Sequence, residues 1–545
     1  MTRFISPPEP RDQIRFAYMS PDDLLPAEAE VRRFDALMDL EEFRQVFRSW
    51  EVHVAPTAPG RPQYNPGTLA KLILFGAIKN IRSSRALEEA CQEGRSFQWL
   101  GSGITPDHSS FAAFLKDKKS DLIKILASTI VIARQADLVD LKVVGIDGTR
   151  IESAASRRSV RTQAWLEQDL AAANKFAQEA CDGWEKTDSA STPERKQKMR
   201  LAKNKKRRKD KSLAGDVAAA KRDAEKIIAA LKNLERRKAE SMNPGDLKQK
   251  ASPTDPEGRS FKAKNGRPIV GYNVQLAADL KSGVIVATEV SDAADDTGKL
   301  MPMINAVENT AGAAPESTVA DGVYNTGFDL EAAKEKGVTV YVPPKYPTIT
   351  KSDEVTALLA KALNGVPLTK EEVKVIPMEQ GRIRKDLFTY SSESDTYTCP
   401  RGVVLHYKRT AVDPVRAGIA QRRSYHPKEG SCADCQLASI CTKNSKKDRS
   451  VSRDQHQEIR EEARDRFESA EGRAIYANRS HLAETPMAHM QQHHGIRRFL
   501  RYGVSGALLE TNLFAIARNL KIIASRGVEF VNKIMAPRQG LVDSG

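Results

Sequence analysis

Val143-Val144-Gly145-Ile146-Asp147-Gly148-Thr149-Arg150-Ile151-Glu152 is the stretch whose reading decides the fold. Val143 to Ile146 is a short apolar run with three β-branched residues, the pattern of a buried strand, and Thr149 to Glu152 extends it into a sheet. Before it the chain shows helical periodicity, and after it strand signals recur, so this run marks the entry into a mixed α/β core. Asp147 closes the run, and Asp321 closes a second one, Ser317-Thr318-Val319-Ala320. Both acids are followed by glycine, and Asp-Gly is also the commonest hairpin-turn dipeptide. On spacing alone, each aspartate reads either as a site residue at a strand end or as part of a turn.

Working outward, Gly271-Tyr272-Asn273-Val274-Gln275-Leu276 and Val284 to Val290 read as strands. The turn Asp279-Leu280-Lys281-Ser282-Gly283 between them makes an antiparallel hairpin. A helix is expected from about Gly298 to Asn309, another at Leu330 to Lys336, then a strand at Val338 to Val342, and helices over 457–533. Residues 156–255, rich in Ala, Lys, Arg and Glu, interrupt this order as a long helical pair. Strand, hairpin, helix, strand, helix, strand is the layout of an RNase H-like catalytic core, and the fold class is α/β. Asp147 then lies on the first strand, Asp321 on a neighbouring one, and Glu484 on a helix laid across the sheet.

Residues 1–140 read as short helices. Pro66-Gly67 opens one that carries Leu69, Leu72, Ile73, Phe75 and Ile78, and Ser84 with Glu88 stands near capping-box positions of the next. His108 follows Asp107 at a further helix start. A DNA-binding bundle and a docking or dimerisation domain both fit this pattern.

The chain has 545 residues, with 86 Lys+Arg against 71 Asp+Glu and a net charge of +15. That length implies several folding units, and that charge implies an anionic partner, nucleic acid or an anionic membrane. No run of apolar residues is long enough to span a bilayer, and Met1 to Pro8 lacks a signal core. A cytoplasmic, nucleoid-associated protein is therefore expected, in which cysteines read as metal ligands before disulfides. Cys432 and Cys435 form a C-x2-C pair, Cys441 follows six residues later, and Cys399 lies upstream. Four thiolates suit a structural Zn²⁺, and the polar loops around them promise little core without metal; reduced thiols in a loose insertion are the alternative. Lys205, Lys206, Arg207 and Arg208 read as a phosphate-binding patch or as a solvated helix face.

Three carboxylates gathered in a basic protein point to divalent ions beside a polyanion. Two Mg²⁺ (or Mn²⁺) ions activate one oxygen and stabilise the leaving one in phosphodiester cleavage, and they take hard oxygen ligands. The local sequences sharpen this. Val144-Gly145-Ile146-Asp147-Gly148-Thr149, Gly271 to Gln275 and Val319-Ala320-Asp321-Gly322-Val323-Tyr324-Asn325 resemble motifs of bacterial insertion-sequence DDE transposases. So does the region from Tyr476 through Arg479 and Glu484 to Gly495-Ile496-Arg497-Arg498-Phe499-Leu500-Arg501-Tyr502-Gly503. Asn80 to Glu88 and Pro106 to Phe111 are similar to the helical domain that precedes the catalytic core in that family.

The resemblance implies a transposase that binds transposon-end DNA, cleaves it with divalent metal and transfers the 3′ ends to target DNA, as a homodimer or higher homo-oligomer. It carries Asp147, Asp321 and Glu484 over as metal ligands, and Tyr476 and Arg479 as the family's Tyr and Arg. The chain departs from the signature twice: one extra residue separates Arg479 from Glu484, and Gln491 stands where a lysine is expected seven residues after Glu484. His493, His494, Arg497 or Arg498 are the candidates to supply the missing charge. The expected divisions are an N-terminal helical DNA-binding domain (1–140), the first part of the core (141–345) with its basic insertion (156–255), a zinc ribbon-like insertion (346–455) and the C-terminal helical part of the core (456–535). A DNA-binding relic without chemistry and a non-transposing nuclease are the competing readings.

Overall fold

The computed structural model describes residues 20–51, 63–188, 199–240, 250–262, 268–344, 353–415, 418–442, 448–479, 484–527 and 529–533. These form two compact units, one of Met1–Val139 with Asn512–Gly545 and one of Asp140–Thr511.

The first unit is helical. Its helices include Glu41–Glu51, Pro66–Ile78, Ser84–Glu93, His108–Asp117 and Leu122–Gln135. Phe34, Phe43, Phe75, Phe97 and Phe111 are buried between them. Three of these starts are set by a side chain that accepts an otherwise orphaned backbone N–H. Asn65 accepts from Thr68 N, and Asp107 accepts from both Ser109 N and Ser110 N. The cap at Ser84–Glu93 corrects the sequence expectation: Ser83, not Ser84, is the capping residue, accepting from Ala86 N. Glu88 turns away from that end and pairs with His108 Nδ1 at 2.8 Å.

The second unit is built on a six-stranded mixed sheet: β1 (Val143–Glu152), β2 (Arg259–Lys262), β3 (Pro268–Asp279), β4 (Ile285–Ser291), β5 (Ser317–Val319) and β6 (Thr339–Tyr341). The order is β2-β3-β1-β5-β6, with β4 also on β3. β1, β3 and β4 are antiparallel neighbours, whereas β5 and β6 run parallel to β1. This mixed arrangement is consistent with an RNase H-like core. Asp279 fastens the corner where β1 begins, accepting from Leu141 N at 2.8 Å and Lys281 N at 2.9 Å. Val144, Ile146, Val274, Leu276, Val286 and Val319 are fully or almost fully buried in the sheet. The helix Leu300–Ala311 covers β4 and stops at Gly312, whose φ of 76° favours glycine.

The insertion after β1 is a helical pair, Gln163–Asp188 with Met199–Glu240. Leu166, Ile227, Ala230, Leu234 and Ala251 form its core. Arg161 and Ala251 exchange backbone hydrogen bonds at 2.8 and 3.1 Å and close it at the base. Arg237, 1% exposed, ties it down by donating to Asp292 Oδ2 and to the carbonyls of Glu257 and Gly258.

The cysteine-bearing segment is a β-domain. It holds β7 (Met378–Glu379), β8 (Arg382–Ile383), β9 (Thr389–Ser391), β10 (Thr396–Thr398), β11 (Val404–Val415), β12 (Gly418–His426) and β13 (Val451–Asp454). Five of these make an antiparallel sheet in the order β13-β12-β11-β10-β9. The expectation that this segment has little core of its own is wrong. Val355, Leu359, Ile376, Phe388, Tyr397, Leu405, Tyr425 and Leu437 pack into one buried cluster with Cys441.

Candidate functional site

Asp147 is not in a turn. It pairs with Leu276 of β3 in the middle of a continuous ten-residue strand, and Gly148 pairs with Gln275. On the other side of β1 the parallel register sets Gly145 beside Val319 of β5. Two residues further along each chain stand Asp147 and Asp321. Asp321 leaves the strand and caps the following turn, its carboxylate accepting Val323 N at 2.8 Å. Sheet pairing thus brings together two acids that are far apart in sequence.

Arg479 joins them. Its Nη2 donates to Asp147 Oδ1 at 3.0 Å, with both side chains largely buried. The guanidinium lies 5.9 Å from the Tyr476 ring, which in turn meets Phe467 edge-on at 4.9 Å. Glu484 opens the helix Glu484–Ala488, which packs against β1 and β3, but its side chain lies outside the described residues. His481 lies outside them too, and the His489 and His493 rings meet at 4.5 Å.

Gln491, at the position of the missing lysine, donates to Thr149 Oγ1 at 2.8 Å. Thr149 is two residues past Asp147 and so on the same strand face. The run after it edges the end of β1: Glu152 N donates to Arg497 O and Phe499 N to Glu152 O. Arg497 Nε donates to Gln491 O at 3.4 Å, while Arg498 donates to the carbonyls of Ser153, Ala154 and Ala155.

A polar network that sequence reasoning missed lies against Gly148. Asp296 Oδ1 accepts from Asn273 Nδ2 at 2.7 Å and from Gln275 Nε2 at 2.6 Å, and Gln275 Oε1 accepts from the Tyr324 hydroxyl. A Cβ on Gly148 would come within 2.6 Å of Asp296 Oδ1 and closer still to Gln275 Nε2. Burial first, then the charges of Asp296, Asp147 and Asp321, hold the Tyr324 hydroxyl far above its ordinary pKa. It therefore stays a neutral donor, and the three carboxylates share one electrostatic neighbourhood. Asn273 and Gln275 were visible inside the Gly271–Gln275 motif and Tyr324 inside the Val319–Asn325 motif; nothing local marked Asp296.

Cys399, Cys432, Cys435 and Cys441 line a single small cavity of about 30 Å³. Burial pushes the Cys441 thiol up to about 12, and Arg449 N donates to Cys432 Sγ at 3.5 Å. Among the described residues no group of three or more His, Cys, Asp or Glu side chains is arranged to hold a metal ion. Lys205, Lys206, Arg207 and Arg208 lie on the helix Met199–Glu240, with side chains outside the described residues. At 1.5 Å per residue they stand about 45 Å along that helix from the Arg237 anchor. A broad cavity of about 1000 Å³ in the helical unit, with Asp35, Asp39 and Lys71 on its wall, is lined by none of the candidate acids.

Three family models match the chain. One described as a transposase domain (DUF772) covers residues 19–117, and two described as transposase DDE domains cover 244–412 and 398–524. No curated protein matches. DDE transposase domains are those of DNA-cleaving, nuclease-type enzymes. The chain belongs to the DDE transposases of insertion sequences. No helix among the described residues is long and apolar enough to cross a membrane.

Proposed function

We propose that the chain binds the ends of its own element, cleaves them by metal-dependent hydrolysis and joins the freed 3′ ends to target DNA, on an RNase H-like core. The observation that supports this is the register of β1 and β5, whose last pair, Gly145 and Val319, stands two residues before Asp147 and Asp321, with the buried Arg479 bonded to Asp147. Asp147, Asp321 and Glu484 are the ligand set, and carboxylate oxygens are the hard donors that Mg²⁺ or Mn²⁺ takes. When bound, the ions supply charge stabilisation for the attacking and leaving oxygens of an in-line displacement.

The chain's own groups do the rest. Arg479 offsets the repulsion among the acids and orients Asp147 through one hydrogen bond. Tyr476 supports Arg479, and Gln491 holds Thr149. Arg497, Arg498 and the run Lys205 to Arg208 are the proposed phosphate contacts. In the first step the oxygen of water bonds to phosphorus, the P–O3′ bond breaks, and the proton passes to the leaving 3′ oxygen. In the second, that 3′ hydroxyl oxygen bonds to a target phosphorus, the target P–O3′ bond breaks, and the proton passes to the displaced 3′ oxygen. Two ends must be joined, so the working form is a homodimer or larger, acting in the cytoplasm on the nucleoid.

The four cysteines are a proposed Zn²⁺ site of structural kind, supported by their shared cavity. Zinc there would stabilise a domain that already has an apolar core.

The test is cleavage of labelled element-end duplex by purified protein with Mg²⁺, beside Asp147→Asn. Nicking at the element boundary by the wild type and a loss of at least about a thousandfold in the variant are expected. Binding without cleavage by the wild type would favour the relic reading, and cleavage by the variant would refute the site assignment.

A further inference from the structure

The longest hairpin of the β-domain projects beyond its sheet. β10 pairs with β11 only at His406, Leu405 and Val404, and β13 pairs with β12 only from Arg422 to Tyr425. β11 and β12 remain paired with each other out to Val415 and Gly418. Among the described residues, the part beyond Ala411 and Arg422 is thus a two-stranded ribbon with no third strand beside it.

Its charge is one-sided. Lys408, Arg409, Arg422 and Arg423 are all exposed, and from Val404 to Lys428 the only acid is Asp413. Val412 on the ribbon (62%) and Tyr407 at its base (46%) are exposed, with the Arg423 guanidinium 5.4 Å from the Tyr407 ring. A bulge between Tyr407 and Arg409 adds Lys408 to the strand, concentrating the basic residues where the ribbon leaves the sheet. Burial, then the positive charges of Lys408 and Arg409, hold His426 below the ordinary imidazole range, a sign of local positive potential. Arg423 also pairs with Asp395 at 3.1 Å.

Basic residues on an exposed strand have a bland use, which is to block edge-to-edge pairing. That use calls for polar surface, and it does not account for an exposed valine and tyrosine among the cations. Like charges held side by side repel, and a polyanion relieves that repulsion while releasing its own counterions. The DNA major groove admits a two-stranded ribbon, and phosphate contacts from its flanks set its register on the duplex.

We propose that this ribbon is a DNA-gripping arm, with Lys408, Arg409, Arg422 and Arg423 at its base on the phosphates. The inference rests on the reading of the chain as an enzyme acting on DNA. The test uses the full chain and a random-sequence duplex of about two helical turns, measuring Kd against salt concentration. Lys408→Ala with Arg409→Ala is compared with Lys370→Ala and Lys374→Ala, an equal charge change on exposed residues elsewhere in the same domain. The ribbon variant is expected to bind at least about tenfold more weakly near 0.1 M salt, with the slope of log K against log salt shallower by about two. The control should stay within about twofold of wild type in affinity, and both variants should keep the wild-type Tm. Wild-type affinity and slope in the ribbon variant, or an equal loss in the control, would overturn the inference. A wild type that binds no DNA would overturn the DNA-acting reading itself, whereas a ribbon variant that binds normally and still cuts element ends would overturn only the arm.

Discussion

Gly148 shows how closely the site is specified at the scale of one residue. It follows Asp147 on β1, and the network of Gln275, Asp296, Asn273 and Tyr324 occupies the space where its side chain would be. The glycine that made Asp147 look like a turn residue is there because polar groups press against the strand. Gly148→Ala is expected to force Gln275 and Asp296 apart, lowering stability by about 1–3 kcal/mol and cleavage by at least about tenfold. Paired denaturation and cleavage measurements check this; unchanged activity would detach the network from the site. At this scale the sequence showed Asp147 and Asp321, because each ends an apolar run. Asp296 was hidden, since Asp292, Asp295 and Asp296 stand together in one loop and nothing local says which turns inward. The choice is made by amides on β3, some twenty residues earlier.

Among elements, legibility followed length and period. The ten residues of β1 and the hairpin of β3 and β4 announce themselves by β-branched runs bounded by turn residues. The β-domain does not, because most of its strands have only two to four residues, too few to show alternation. Its core comes instead from aromatics spread over several strands: the Tyr397 ring lies 4.9 Å from Tyr390 and 5.1 Å from Tyr425. A domain with that core should not depend on metal to fold. Protein treated with a strong chelator is expected to retain its β-domain, seen as unchanged protection of the Tyr397 and Tyr425 amides in hydrogen exchange. Exchange of both at unfolded rates after chelation would restore metal as the organising element.

Over the whole molecule, the net charge of +15 is carried by parts that differ in kind. The helical insertion holds its basic run about 45 Å from its anchor, and the β-domain holds an exposed basic ribbon. The core keeps its acids at the meeting of β1 and β5. Composition gave the sign of the partner, and strand order gave the place of the two aspartates. It did not foretell that Arg479, 332 residues from Asp147, would be bonded to it. That contact depends on where the C-terminal helices settle on the sheet, and no local pattern encodes it.

Asp147, Asp321 and Glu484 are proposed to hold the same ions. Fe²⁺ bound in place of Mg²⁺, with ascorbate and peroxide, cuts the polypeptide only near where it sits. Cuts close to residues 147, 321 and 484 are expected in one reaction, suppressed together by excess Mg²⁺ and lost together in Asp147→Asn. Cuts near a single one of the three, or a pattern indifferent to Mg²⁺ and to Asp147→Asn, would contradict that shared site.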